Sequence, residues 1–159
     1  MVTVGILAFL ALCAGSFSNT WSWLAHYRLS SAAGDLVAGM QNARIEAIKR
    51  NCFCTITFNQ PLDGTVYDYV IYVDTNRDLK FDAGETVLKR VLLSREYKGI
   101  SLENVNFSKN DNSLASVAFN PRGFPRDRTG VGNGTIVLAD SMGGRMSTIL
   151  NTAGRVRTE

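Results

Sequence analysis

The first charged side chain in this chain of 159 residues is Arg28. Residues 1–27 carry none, and they open on the apolar run Met1-Val-Thr-Val-Gly-Ile-Leu-Ala-Phe-Leu-Ala-Leu-Cys-Ala14. At about 1.5 Å per helical residue, a charge-free stretch of this length can cross the roughly 30 Å hydrocarbon core of a bilayer. The expectation is therefore a chain that starts in a membrane and folds its remainder outside it.

A cleaved secretory signal is the competing reading. It wants a basic start, which is missing here, although Ala11-Leu-Cys-Ala-Gly-Ser16 could pass for a cleavage region or a lipoprotein-like cysteine. Against cleavage, the helical pattern continues past the polarity change. Leu29, Ala32, Ala33, Leu36, Val37, Met40, Ala43, Ala47 and Ile48 recur at three- and four-residue spacing. Arg28, Asp35, Gln41, Arg44, Glu46, Lys49 and Arg50 fall mostly off that stripe. The preferred reading is one retained helix, apolar all round at first and amphipathic afterwards. Gly15-Ser16 and Ser18-Asn19 are its weakest stretch.

From about Arg28 onward the chain has the length of one small domain, with no Pro/Gly/Ser linker and no internal repeat. After Asn51 short alternating runs replace the helical period. Strands are predicted over Phe53 to Phe58, Tyr67 to Val73, Thr86 to Leu93, Ile100 to Phe107, Ser113 to Phe119, Gly134 to Ala139 and Arg145 to Leu150. Turn signals separate them, among them residues 59–64, Lys98-Gly99, residues 109–112, residues 120–123, residues 132–134 and Gly143-Gly144. A long N-terminal helix followed by a mostly antiparallel sheet is an α+β arrangement, with the second half of the helix packed on one sheet face.

Two segments carry candidate chemistry. In the loop 74–85, Asp74, Asn76, Asp78, Asp82 and Glu85 occupy the first, third, fifth, ninth and twelfth places of an EF-hand-like calcium loop. Leu79 stands where the sharp turn wants glycine, the flanks read as strands, and Arg77 and Lys80 dilute the negative charge. The competing reading is a polar hairpin loop whose Asp and Asn side chains cap their own backbone. No other cofactor is expected. The second segment is basic: Arg145, Arg155 and Arg157 near the C-terminus, with Arg122, Arg126 and Arg128 in a separate loop and few acids after Asp111. Arg155 and Arg157, two apart, point to one side of an extended strand and could grip successive phosphates of DNA. A solvated basic face is the alternative, which a net charge of +3 does not exclude.

Enzymatic readings fare poorly. His26 is the sole histidine, so a serine or cysteine triad lacks its base. The run Gly130-Val-Gly-Asn-Gly134 lacks the lysine and following helix of a nucleotide loop. A non-enzymatic assembly protein is expected.

The run Leu24-Ala-His-Tyr-Arg-Leu-Ser-Ser-Ala-Ala-Gly-Asp-Leu36, then Gln41-Asn-Ala-Arg-Ile-Glu-Ala-Ile-Lys-Arg-Asn51, resembles the GspH/FimT family of type II secretion pseudopilins and type IV minor pilins. Tyr72-Val-Asp-Thr-Asn-Arg-Asp78 with Asp82-Ala-Gly-Glu85, Phe119-Asn-Pro-Arg-Gly123 and Gly154-Arg-Val-Arg157 extend the likeness over nearly the whole chain. The resemblance implies a type IV pilin-like fold, with residues 1–27 as the transmembrane half of the helix. Residues 28–159 become a periplasmic globular domain, with the helix to residue 50 and the β domain over 51–159. It implies an inner-membrane protein with a single span, incorporated at or near a filament tip for protein secretion, with other pseudopilins or minor pilins as partners. The alternative it offers is a FimT-like minor pilin that binds DNA without sequence preference through its Gly-Arg-x-Arg tail, for DNA uptake. Members carry a short basic leader and a Gly-Phe-Thr-Leu-Ile-Glu-Leu stretch before the residues matching Met1 to Val4, which the prepilin peptidase cuts. That stretch is not in this sequence, and a start placed too late is the preferred explanation.

The cysteines divide by compartment. Cys13 reads as a small buried hydrophobe. Cys52 and Cys54 would meet an oxidising periplasm on one face of a strand, where a disulfide between such near neighbours is strained. Two thiols and a membrane-proximal His26 make no metal site.

Overall fold

The computed structural model describes residues 2–159, with side chains from Trp23 onward. Helix α1 runs as one element over Val2–Arg50. The apolar run behind the membrane-crossing expectation lies outside the residues whose side chains are described. Among the described residues, no helix is long and apolar enough to cross a membrane. The end of α1 is set by Asn51, which takes the left-handed conformation at φ 51°. There Cys52 N–H donates to Ala47 O at 3.1 Å and Asn51 N–H to Ile48 O at 3.3 Å. These two bonds make a Schellman motif with Asn51 where glycine is commonest.

Nine strands follow. They are β1 Phe53–Leu62, β2 Thr65–Asp74, β3 Val87–Val91, β4 Ile100–Asn106, β5 Ser116–Phe119, β6 Pro125–Arg126, β7 Gly134–Asp140, β8 Arg145–Leu150 and β9 Val156–Thr158, with a short helix α2 Leu93–Glu96 between β3 and β4. They form a five-stranded sheet in the order β3-β2-β1-β5-β6 and a four-stranded sheet in the order β4-β7-β8-β9, all neighbours antiparallel.

Both sheets contact α1. Leu29, Ala32, Ala33, Leu36, Met40, Ala43 and Ala47 of the helix are fully buried with Cys54, Ile56 and Phe58 of β1, Phe119 of β5, Ile136 and Leu138 of β7 and Leu150 of β8. Those seven helix positions are the predicted stripe. Two predicted members are not: Val37 is half-buried and Ile48 is exposed, because each lies past the edge of the buried arc. The opposite face of the five-stranded sheet is also covered, so Cys54 to Phe58 are all buried. Its inward groups are polar and paired: Thr57 Oγ1 lies 3.0 Å from both Tyr72 OH and Ser116 Oγ, and Thr55 Oγ1 donates to Asp74 Oδ2 at 2.8 Å. Buried hydroxyls are tolerated there because each has a partner.

The strand boundaries correct the sequence reading by more than one residue in three places. The first hairpin turns over Asp63-Gly64 alone, at φ 52° and 77°, as a two-residue primed turn, so β1 extends to Leu62. The run Thr86 to Leu93 ends as strand at Val91. Leu93 N–H instead donates to Asp68 Oδ2 at 2.7 Å and opens α2. The run Ser113 to Phe119 is strand only from Ser116, because Asn110 Oδ1 accepts from Asn112 and Leu114 N–H and holds a turn. Strands β6 and β9, at two and three residues, carry too little pattern to be seen in sequence.

Candidate functional site

The loop 74–85 spends its acids on its own backbone. Asp74, 1 % exposed, accepts from Arg77 N–H at 2.6 Å and from Leu79 N–H at 3.0 Å, besides Thr55. Glu85 accepts from Thr75 N–H at 2.9 Å and from Asp82 N–H at 3.1 Å. Asp78 accepts from Lys80 N–H at 2.9 Å, and its other oxygen pairs with Lys80 Nζ at 3.0 Å, which holds that ammonium's pKa above its ordinary value. Asn76 Nδ2 donates to Asp78 and Asp82. Among the described residues, no group of three or more His, Cys, Asp or Glu could hold a metal ion. The five candidate ligands thus share one loop, in which Asp74, Asn76, Asp78 and Glu85 cap backbone N–H groups and Asp82 accepts from the Asn76 side chain.

The tail arginines share one sheet face. In the β8–β9 register Ile149 faces Arg157, and Arg155 and Arg157 line a cleft of about 290 Å³ with Asn151 and Ile149. Arg145 lies on the same face, four residues along β8 from Ile149, so roughly 13 Å from the pair. Two of the three are occupied. Arg157 pairs with Glu159 at 2.8 Å. Arg145 Nε donates to Glu103 Oε2 at 2.7 Å, and this carboxylate raises the guanidinium pKa. Glu103 reaches it because the β4–β7 register shifts between Leu102 and Asn104, a bulge that re-aims the intervening side chain.

Gly154, by contrast, faces inward. At φ +80°, its added Cβ would stand 2.9 Å from Gly123 O and 3.4 Å from Arg44 Cζ, while Arg44 Nη1 donates to Gly154 O at 3.2 Å. Gly123, at φ +78°, leaves room for Ile48 and Arg44 in the same way. Three sequence-distant motifs thus meet where the helix, the 120–123 turn and the tail touch.

A feature the sequence reading passed over is the outer face of α1. Trp23, Tyr27, Ser30, Gly34, Ala38, Gln41, Ile45 and Ile48 are all exposed and, at three- and four-residue spacing, form one line along the helix. The line contains no charge. Its ends are large apolar groups, Trp23 at 66 %, Tyr27 at 59 %, Ile45 at 56 % and Ile48 at 49 % exposure, and its middle is small at Ser30, Gly34 and Ala38 and polar at Gln41. Trp23 and Tyr27 stack at 5.8 Å. The charged residues of the helix are placed elsewhere: Asp35 with Lys89 at 2.8 Å, Arg44 on Gly154, and Glu46 with Arg50, whose hydrogen bond lowers the carboxyl pKa. The signal was present as a second three-four period offset from the buried stripe. Cys52 and Cys54 are free thiols, the first half-buried and the second buried, and burial pushes the Cys54 thiol up to about 12.

Residues 32–154 match the family model for the type II transport protein GspH. No curated protein matches the chain. The crystal structure of the type IV minor pilin FimU of Pseudomonas aeruginosa has the same fold, with a TM-score of 0.55, 17 % sequence identity, and 86 % of this chain and 92 % of that one covered. A match spanning most of the chain, on a long helix packed against antiparallel sheets, makes this protein a member of the GspH family.

Proposed function

We propose that the chain is a structural subunit, not a catalyst, incorporated at or near the tip of a type II secretion pseudopilus, and that the outer face of α1 is where a neighbouring subunit's helix docks. The uncharged exposed line from Trp23 to Ile48 carries this reading. A soluble helix ordinarily turns its charged side to water, and a line of apolar and small residues instead offers another helix close approach. The apolar run before it belongs to the same helix, which suits storage in the inner membrane before assembly, with the globular domain in the periplasm. Burying apolar area, at about 25 cal/mol per Å², is similarly favourable in lipid and in a helix bundle, so transfer between the two is nearly balanced. The test is co-purification of the full chain with the pilin-like subunits produced beside it, comparing wild type with Gly34→Leu and Ile45→Asp. Loss of partners in both variants supports the reading, and unchanged recovery overturns it.

A second reading is DNA uptake through the tail, supported by the shared cleft of Arg155 and Arg157. The ion pairs of Arg157 and Arg145 weigh against it, since each must be exchanged for a phosphate contact. Binding of short duplex DNA across a salt series, beside Arg155→Ala/Arg157→Ala, decides it. Steeply salt-dependent binding that the variant loses establishes this reading, and no binding at low salt removes it.

A further inference from the structure

We infer that the cavity at the start of β1 is a carboxylate-binding site gripped by Arg77 and Arg126, fitted to an acidic side chain of a protein partner. The cavity, of about 290 Å³, is lined by Phe53 with Arg77, Asp78 and Leu79 on one side and Asn110, Asp111 and residues 126–128 on the other. It lies beside the end of α1, roughly 70 Å of helix from Val2.

The loop that presents Arg77 is fixed from inside. Arg77 and Leu79 both adopt φ +64°, a conformation that costs non-glycine residues of order 1–3 kcal/mol and collects at functional sites. Buried Asp74 holds it by accepting both amides, at 2.6 and 3.0 Å, and Asn110 Nδ2 donates to Leu79 O at 2.7 Å. The outcome is a guanidinium lying over the Phe53 ring, 5.1 Å from its centroid. That cation–π contact uses none of the arginine's N–H groups, which stay available as the fork that a carboxylate accepts with both oxygens. Arg126 enters from the other side, with Nη1 bound to Gly130 O. Among the described residues neither Arg77 nor Arg126 makes an ion pair, whereas Arg128 is taken by Asp111.

The rim selects the ligand. Asp78, Asp111 and Asp127 also border the cavity and offset its arginine charges, so a dianionic phosphate gains little more there than a monoanionic, planar carboxylate while losing more hydration. A nucleic-acid backbone, with its run of charges, meets the three rim carboxylates as well, which separates this site from the tail cleft.

The test is NMR titration of the full chain in detergent with the peptide acetyl-Gly-Glu-Gly-amide, beside its Gln counterpart and inorganic phosphate. The Glu peptide is expected to shift the Phe53 and Arg77 signals saturably, with the Gln peptide and phosphate each at least about tenfold weaker. Arg77→Lys keeps the charge but not the fork and should weaken the Glu peptide about tenfold, as should Arg126→Gln. Arg155→Ala/Arg157→Ala should leave it unchanged. Circular dichroism of each variant checks folding, and two separate cavity variants guard against one that misfolds. Undiminished binding in folded Arg77→Lys and Arg126→Gln, phosphate binding as tightly as the Glu peptide, or no saturable shift in the wild type overturns the inference.

Discussion

Two glycines on one helix should respond to substitution in opposite senses, and the difference isolates assembly from folding. Gly34 sits in the middle of the exposed line of α1, and a Cβ added there meets nothing within 4 Å. Replacing it with alanine removes the helix-interior penalty of glycine, so the fold should gain about 0.5–1 kcal/mol. For a domain of this size that raises Tm by roughly 1–4 °C. Gly34→Leu should fold equally well, since its side chain extends into solvent. Gly39 lies on the buried side, where an added Cβ would stand 3.2 Å from Ile71 Cδ1. Gly39→Ala should be close to neutral, the propensity gain offset by the contact, and Gly39→Leu should lose about 1–3 kcal/mol to overpacking against Ile71 and Tyr69. Urea unfolding by circular dichroism gives the four stabilities, and partner co-purification gives the assembly readout. Gly34→Leu should be the variant that is stable and yet fails to assemble. If it assembles like wild type, a helix does not approach the outer face closely, and the docking argument fails with it.

Gly154→Ala should cost about 2–3 kcal/mol, seen as a lower urea midpoint with an unchanged slope, from its left-handed conformation and its 2.9 Å approach to Gly123 O. Stability should fall as pH rises above about 9. Cys54, pushed up to about 12, and Tyr69 and Tyr72, also raised by burial, stay protonated when folded, whereas the unfolded chain releases those protons first. Each group contributes up to about 1.4 kcal/mol per pH unit of loss, which denaturant midpoints from pH 8 to 11 would record. Iodoacetamide at pH 8 should label half-buried Cys52 and spare Cys54 until the chain is unfolded, as peptide mass mapping would show.

Much of this fold is legible where one period dominates. Seven of the nine predicted stripe positions on α1 are buried, because a helix against two sheets needs apolar groups every third or fourth residue and small ones where backbones come close. Strand β8, predicted over Arg145 to Leu150, has those ends in the structure, with turns of strong chemistry on both sides. What escaped has two kinds of cause. Asp68 opens α2 through a hydrogen bond across 25 residues, which no local pattern announces because a side-chain acceptor acts on whatever backbone the tertiary fold brings to it. Asn110 acts locally, on Asn112 and Leu114, and there the 109–112 turn signal was legible while its reach as far as Ser116 was not.

The same distinction separates the tail's glycine from its arginines. As a motif, Gly154-Arg-Val-Arg157 reads as one unit, and two arginines on an alternating strand suggest phosphate contact. In the fold the unit splits. Gly154 packs on the helix, held by Arg44 and wedged against Gly123, while Arg155, just before β9, and Arg157, within it, line the tail cleft. Arg44, Gly123 and Gly154 are constrained by packing whether or not anything binds the arginines. The presence of the motif therefore argues for the fold and leaves ligand choice to the two exposed side chains. That division is why the family is readable from the sequence while the chemistry of the tail is decided by the salt dependence of Arg155 and Arg157 alone.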